Sequence, residues 1–426
     1  MADTIYEQAL RYHETLTPGA LSVVPKRSLR EAKDLALAYS PGIAGPVLKI
    51  AENPDNAYRY TGKGNLVAIV TNGTAILGLG NRGALASKPV MEGKAVLFKR
   101  FAGIDAFDIE INSTNPEEII QTVALIEPTF GGVNLEDIKA PECFVVEEAL
   151  NERMDIPAFH DDQHGTAVVL CAGLLNALEV AGKELKNVSI VLNGAGAAGI
   201  AVARMLLTLG CPKDHLTLCD SKGVVSMDRM QDMNAYKAQF ARTTKLKTLA
   251  DALRGADVFI GVSKAGVLTP AMLRSMARDP IVFAMANPEP EIDLALAAAT
   301  RQDIILGSGK SDAPNQVNNL LCFPFIFRGA LDTRARRIND AMKLAAIRAL
   351  ASLAHEPVPA SVLKAYGLPS LAFGRTYLLP KPFDRRLLTT VSPAVARAAM
   401  ETGVARITID LTSYTKELPQ RVSDAA

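Results

Sequence analysis

Residues 187–210, NVSIVLNGAGAAGIAVARMLLTLG, constrain the fold more than any other stretch. An apolar run rich in β-branched residues reads as a buried strand, the glycines as a tight turn, and the amphipathic remainder as a helix stopped by Gly210. Gly194, Gly196 and Gly199 match GxGxxG. The first glycine of such a turn permits the bend, the second lets a pyrophosphate approach the backbone, and the third allows close helix–strand packing. The helix then opens at Ala197 and Ala198, whose N–H groups and helix dipole suit phosphate. A glycine turn also occurs for packing alone, but here a second apolar run, LTLCD, ends 21 residues past Gly199 on Asp220, where a ribose-binding carboxylate belongs. The unit predicts dinucleotide binding. Asp220 favours a free 2′-hydroxyl, whereas Ser221 and Lys222 are placed to receive a 2′-phosphate, so the choice between NAD and NADP stays open.

The rest of the chain extends this pattern. ADVFIGVS, PIVFAMANP and DIILGSGKSD are further apolar runs closing on small or polar residues, which implies a parallel sheet. GSGKSD is discounted as a P-loop because Ile304 stands where its first glycine belongs. Upstream, NLVAIVTNG, a helix followed by a strand in AVLFKRFAGIDAFDIEI, and a helix capped near Ser113 or Asn115 make a second α/β unit. From about 334 the pattern is mostly helical. The expected organisation is α/β: an N-terminal domain over 1–160, a Rossmann-type doubly wound domain over 161–385 and a helical tail over 386–426. With 46 basic and 45 acidic side chains there is no global field for nucleic acid or anionic membrane. No apolar run of signal-peptide or membrane-spanning length is read, and five scattered cysteines without a CxxC pair suggest reduced thiols and a cytoplasmic chain.

Chemistry concentrates in AFHDDQHGTAVV, residues 158–169. His160 and His164 have zinc-helix spacing, but a zincin carries Glu where Asp161 stands, and the preceding IPAF is strand-like, so the two are not expected on one helix face. Asp161 and Asp162, adjacent at a strand end, repel one another, and a cation would offset this. Glu136 and Asp137 form a second acidic pair, and oxygen ligands of this kind suit Mg²⁺ or Mn²⁺. Equally, one aspartate could cap the following helix while the other pair sits on a solvated turn. The residues alone leave both readings open.

LALAYSPGIAGPV, NGTAILGLGNRGALASKPVMEGKAVLFKRFAGIDAFDIEI, EPTFGGVNLEDIKAPECF, IPAFHDDQHGTA, MANPEPEI and PNQVNNLLCFPFIFRGALD, in this order, resemble the malic enzyme family in its bacterial form. The resemblance implies oxidative decarboxylation of L-malate to pyruvate and CO₂ with reduction of NAD or NADP, assisted by Mn²⁺ or Mg²⁺, in a homodimer or higher oligomer. It implies Glu136, Asp137 and Asp162 as metal ligands, Asp161 as an orienting neighbour, Lys94 as general base and Tyr39 as general acid. Asn287 and Asn319 would contact substrate and nicotinamide. Lys94 can serve as base if burial and a nearby cation lower its pKa toward neutrality, with Lys88 and Lys99 as rivals. Two departures stand out: Thr74-Ala75 replaces an arginine, and Arg82 stands where an aliphatic residue is expected. The alternatives are a malolactic-type enzyme, an amino-acid dehydrogenase without metal, and a non-catalytic dinucleotide sensor.

Overall fold

The computed structural model describes residues 4–14, 17–76 and 78–422. Helices α1 (Ile5–His13), α2 (Ala32–Ala38), α3 (Ala44–Glu52) and α4 (Ala57–Tyr60) lead into the first sheet. Strands β1 (Leu66–Thr71), β2 (Asp105–Glu110), β3 (Gly132–Leu135) and β4 (Ala158–His160) pair in parallel, in the order β2-β1-β3-β4. All of β1 except its first residue is buried, as expected of LVAIVT in a sheet covered on both faces. The crossovers are α5 (Ala84–Ala102), α6 (Pro116–Ile126) and α7 (Glu142–Arg153). Asn115 caps α6 as expected, its side chain accepting from the Glu117 N–H.

Helix α5 positions the chemistry. Its buried residues are Ala84, Ser87, Met91, Lys94, Ala95, Phe98 and Ala102, a stripe at three- and four-residue spacing. Lys94 is therefore carried inward by the periodicity that buries the core, whereas the side chains of Lys88 and Lys99 are 45% and 49% exposed.

Helix α8 (Asp161–Ala181) joins the two sheets and ends on Gly182 in the left-handed conformation. It begins six residues earlier than the apolar pattern from Ala167 suggests. It is also the exception to the expectation that no membrane-length apolar helix exists: its mean hydropathy reaches 1.4, but 67% of that window is buried inside the protein. Its composition is that of a central core helix.

The second sheet has seven strands in the order β11-β10-β9-β8-β5-β6-β7. These are β5 (Ile190–Asn193), β6 (Leu216–Asp220), β7 (Gly223–Val224), β8 (Val258–Gly261), β9 (Ile281–Ala284), β10 (Ile305–Ser308) and β11 (Asn315–Gln316). All neighbours run parallel except the short β7, which turns back antiparallel on β6. The chain goes from β5 outward to β6 and then crosses to β8, so the crevice between β5 and β8 is the switch point where ligands bind. Helix α9 (Ala197–Thr208) follows β5. GSGKSD spans the end of β10 and a turn, with no helix behind it, in agreement with its rejection as a P-loop. The helix Phe323–Asp332 packs on α5 and on Arg386–Glu401, while Asp340–Leu353 packs on α8 and Arg386–Glu401, so the C-terminal helices return to the first unit. All five cysteines are free and buried.

Candidate active site

Strands β3 and β4 are parallel neighbours whose last paired residues are Leu135 and His160. Glu136-Asp137 and Asp161-Asp162 follow immediately, so register alone brings the two acidic pairs side by side at the C-terminal edge of the sheet. The Asp137 N–H donates to Asp162 Oδ2 at 2.8 Å. Asp137 holds a left-handed backbone, φ 53°, unusual for a non-glycine residue and a form of strain that clusters at functional sites. Neither aspartate caps α8: His160 is the N-cap, without a side-chain capping bond, and Asp161 and Asp162 lie in the first turn.

Lys94 points at this edge. Its ammonium donates to Glu136 Oε1 at 2.9 Å and to Asp161 Oδ2, and it lies 3.9 Å from the centre of the Phe323 ring. Asn319 Nδ2 donates to Asp161 Oδ2 at 2.5 Å, and Asn134 Nδ2 to Glu136 Oε2 at 2.8 Å. Asp161 is fully buried, and its carboxylate fits only because residue 165 is glycine: a Cβ there would sit 1.8 Å from Asp161 Oδ1. Burial pushes the Asp161 carboxyl upward, with Glu136 adding to the rise and Lys94 opposing it. Burial likewise raises Glu136 and Asp162. For Lys94 burial works downward, but Asp161 and Glu136 outweigh it and the net shift is upward. In this arrangement Lys94 is an ammonium held between Asp161 and Glu136.

The two histidines differ: His164 has a hydrogen-bond partner, whereas both ring nitrogens of His160 are buried without one. His164 Nε2 meets Glu147 Oε2 at 2.9 Å, and His160 Nε2 lies 3.4 Å from Asp162 Oδ2. Burial pushes His160 down to about 4, so it is a neutral ring.

Glu136 and Asp161 share one lysine, and Asp161 Oδ1 is buried without a hydrogen bond. Glu136, Asp137 and Asp162 all face one cavity, and hard oxygen donors of this kind fit a divalent cation of the Mg²⁺ or Mn²⁺ type. Among the described residues no three acidic, histidine or cysteine side chains are yet close enough together to hold a metal ion.

The glycine turn matches its expected division of labour. Gly194 has φ 126° and a Cβ there would meet Val262 O at 2.5 Å; a Cβ at Gly199 would meet Gly194 O at 1.8 Å. At Gly196 nothing lies within 4 Å, so that glycine leaves open space in front of the α9 N-terminus. Gly196, Ala197 and Ala198 line the same cavity of about 1060 Å³ as Lys94, Glu136, Asp137, Asp162, Asn287 and Asn319. Asp220, Ser221 and Lys222 lie at the end of β6, outside that lining. Asp220 is not free: Arg229 Nη2 donates to both its oxygens at 2.8 Å and Lys237 Nζ to one at 3.0 Å. Burial acts to raise its pKa, but Arg229, the Lys222 N–H and Lys237 hold it below the ordinary range. Arg229 and Lys237 were not legible in sequence, since nothing local marks cations 9 and 17 residues beyond Asp220.

Tyr39 is not in this constellation. It ends α2, is 72% exposed and does not line the cavity. Neither α2 nor α3 contains a buried residue, and Leu35, Leu37, Val47 and Leu48 are all exposed there. Arg82 is exposed and also lies outside the cavity lining, and Thr74 bonds to Asn72.

A phosphate seat on α9 and a lysine–carboxylate cluster opening into one cavity define the class: a nicotinamide-dinucleotide oxidoreductase of two α/β units. Comparison with known proteins narrows it. The family described as "Malic enzyme, N-terminal domain" matches residues 18–119, and "Malic enzyme, NAD binding domain" matches residues 163–372. The chain is 57% identical to the NADP-dependent malic enzyme of Halomonas elongata, over 95% of this chain and 96% of that protein. It is 54% identical to the NADP-dependent malic enzyme of Escherichia coli K12 over 99% of this chain but 56% of that longer protein. The crystal structure of malic enzyme from Pyrococcus horikoshii superposes with a TM-score of 0.90 at 42% identity, covering 98% of this chain and 96% of that one. The chain belongs to the malic enzyme family.

Proposed function

We propose that this chain catalyses the metal-dependent oxidative decarboxylation of L-malate to pyruvate and CO₂ with reduction of NADP⁺. The observation that carries the proposal is the shared cavity, which sets the α9 phosphate seat and the Lys94–carboxylate cluster around one volume. Glu136, Asp137 and Asp162 would hold the divalent cation. That ion supplies Lewis-acid polarisation of the C2 oxygen. The coenzyme, seated on Gly194–Gly199 and the α9 N-terminus, supplies the hydride acceptor. Lys94 takes the proton of the C2 hydroxyl as the alcohol is oxidised. For that step it must first be neutral; drawing Glu136 away toward a cation removes one of the two carboxylates that keep it charged. Asp161 holds Lys94 and Asn319 in register, and Asn287 and Asn319 orient substrate and nicotinamide. When the C4 carboxylate leaves, its electron pair enters the C2 carbonyl, and the resulting enolate is protonated at C3.

NADP⁺ is favoured over NAD⁺ by the ion pairs at Asp220. Bound by Arg229 and Lys237, its carboxylate is not available to a 2′-hydroxyl, and the cations around it suit a 2′-phosphate.

The proton donor at C3 is Tyr39 from a second copy of the chain. An exposed apolar hairpin, α2–α3, that carries this tyrosine away from Lys94 has the character of an interface rather than a free surface. The working unit is therefore a homodimer in which each hairpin completes its neighbour's site. Its buried, unpaired thiols fit a cytoplasmic enzyme.

The test is absorbance of reduced nicotinamide with L-malate and Mn²⁺, run with NADP⁺ and with NAD⁺, followed by assay of pyruvate and lactate. Equal amounts of NADPH and pyruvate, lost on chelation, are expected. Lactate without reduced coenzyme would replace this reading with a malolactic one. Activity that survives chelation would favour a metal-free dehydrogenase, and no product at all would favour a sensor.

A further inference from the structure

A second concavity, of about 510 Å³, shares no lining residue with the Lys94 cavity. It lies where residues 58–65 and the C-terminal end of α5 meet the end of the helix Phe323–Asp332. Five cationic side chains line it, Lys26, Lys99, Arg328, Arg334 and Arg421, against two carboxylates, Asp105 and Asp332. Both acids are already engaged. Asp105 accepts from Lys26 and, at 2.8 Å, from Lys99. Asp332 takes Arg328 through two bonds of 2.7 and 2.5 Å and Arg421 at 2.6 Å.

Arg334 is left over. Its guanidinium lies 4.4 Å from the centre of the Tyr58 ring, and among the described residues no carboxylate pairs with it. Its backbone is left-handed, φ 48°. Arg406 crowds the same ring at 5.4 Å, donating to Tyr58 Oη at 2.6 Å and to Arg334 O at 2.9 Å, again without a carboxylate. Two guanidinium groups on one ring repel each other, and a bound anion would offset that repulsion. The site is also built rather than superficial, because Arg328 is 1% exposed and is fixed from behind by Asn65 Oδ1 at 2.6 Å.

We infer that this concavity binds a compact polyanion with two or three negative charges, of the phosphorylated or polycarboxylate metabolite class, with Arg334 as its principal contact. Guanidinium groups suit such ligands because they form paired hydrogen bonds to phosphate or carboxylate oxygens. α5 carries both Lys94 and Lys99, and the helix Phe323–Asp332 begins at the Lys94-facing Phe323 and holds Arg328, so rigid elements join this pocket to the active cavity.

The test is calorimetric titration of inorganic pyrophosphate, and separately of tricarballylate, into the full chain saturated with NADP⁺ in metal-free buffer of physiological ionic strength. Saturation fills the α9 phosphate seat, and the Arg334 and Lys26 variants separate heat at this concavity from heat at the malate part of the active cavity. Binding of either anion is expected, and which one binds distinguishes the phosphate source from the carboxylate source. Arg334→Gln and the solvent-exposed Lys26→Gln should each weaken it, the former by about tenfold, with NADP⁺ affinity unchanged. Absence of binding by both anions at millimolar concentration, or wild-type affinity in both variants, would overturn the inference. The outcome does not depend on malate being the substrate.

Discussion

Gly165→Ala adds one methyl group at the most crowded point of the proposed site. Its Cβ would lie 1.8 Å from Asp161 Oδ1, 2.8 Å from Asp161 Cγ and 3.2 Å from Asn319 Cβ. Ordinary contact begins near 3.4 Å, so the carboxylate must retreat by about 1.6 Å. It cannot do so cheaply, since Asp161 is fully buried and tied to Lys94 and Asn319. Breaking one member out of a buried ion pair typically costs about 3–5 kcal/mol. Alanine in a helix interior returns about 1 kcal/mol relative to glycine. The net expectation is a loss of about 2–4 kcal/mol of stability, obtained by subtracting the second term from the first. Displacing Asp161 also releases Lys94, so kcat should fall by at least about a hundredfold, as for other misplacements of about 1 Å. Thermal unfolding and steady-state kinetics read both quantities. A Gly165→Ala variant that melts with the wild type and keeps half its turnover would refute the steric argument and, with it, the role of Asp161 as the fixed partner of Lys94.

Three further outcomes are expected. Lys237→Gln should raise the KM for NADP⁺ by about tenfold, one charge-assisted contact's worth, while changing the NAD⁺ value less than about twofold. Lys94→Ala and Tyr39→Phe should each abolish turnover while leaving NADP⁺ binding intact, as measured by fluorescence titration. After subunit exchange, an equal mixture of the two should recover about a quarter of wild-type activity, because half the dimers are mixed and each of those has one intact site. No recovery would place Tyr39 in its own chain's site. Glu147 has its carboxyl held down at about 2: burial opposes this, but His164 dominates. A carboxyl depressed in the folded state adds stability above its unfolded pKa, near 4.5, and loses it as pH falls from there toward 2. Glu147→Gln should therefore flatten the acid side of the stability profile in that window, as followed by circular dichroism; an unchanged acid limb would contradict the stabilising contact of Glu147 with His164.

Much of this was legible where the physics is local. The glycine turn could be read because each glycine answers a steric demand set by its immediate neighbours, and Gly194, Gly196 and Gly199 meet those demands in the expected order. The acidic pairs are joined in the sequence only by residue chemistry and the family resemblance; the geometry of their meeting follows from the pairing of Leu135 with His160, a tertiary fact. Lys94 could have been separated from Lys88 and Lys99 by sequence alone, since it falls on the core stripe of α5. The direction of its pKa could not, because that depends on Asp161 and Glu136, 67 and 42 residues away. The pairing of Asp220 with Arg229 and Lys237 was hidden for the same reason. Gly165 escapes notice in the sequence because its purpose is the space it leaves for a neighbour.

The separation of Tyr39 from Lys94 has a consequence for inheritance. If one gene supplies the acid of one site and the base of another, alleles defective in different residues rescue each other, while a chain altered in both Tyr39 and Lys94 silences every partner it captures. Such a double variant, expressed beside the intact gene, would act as a dominant poison, and its dose would set how much activity the cell retains.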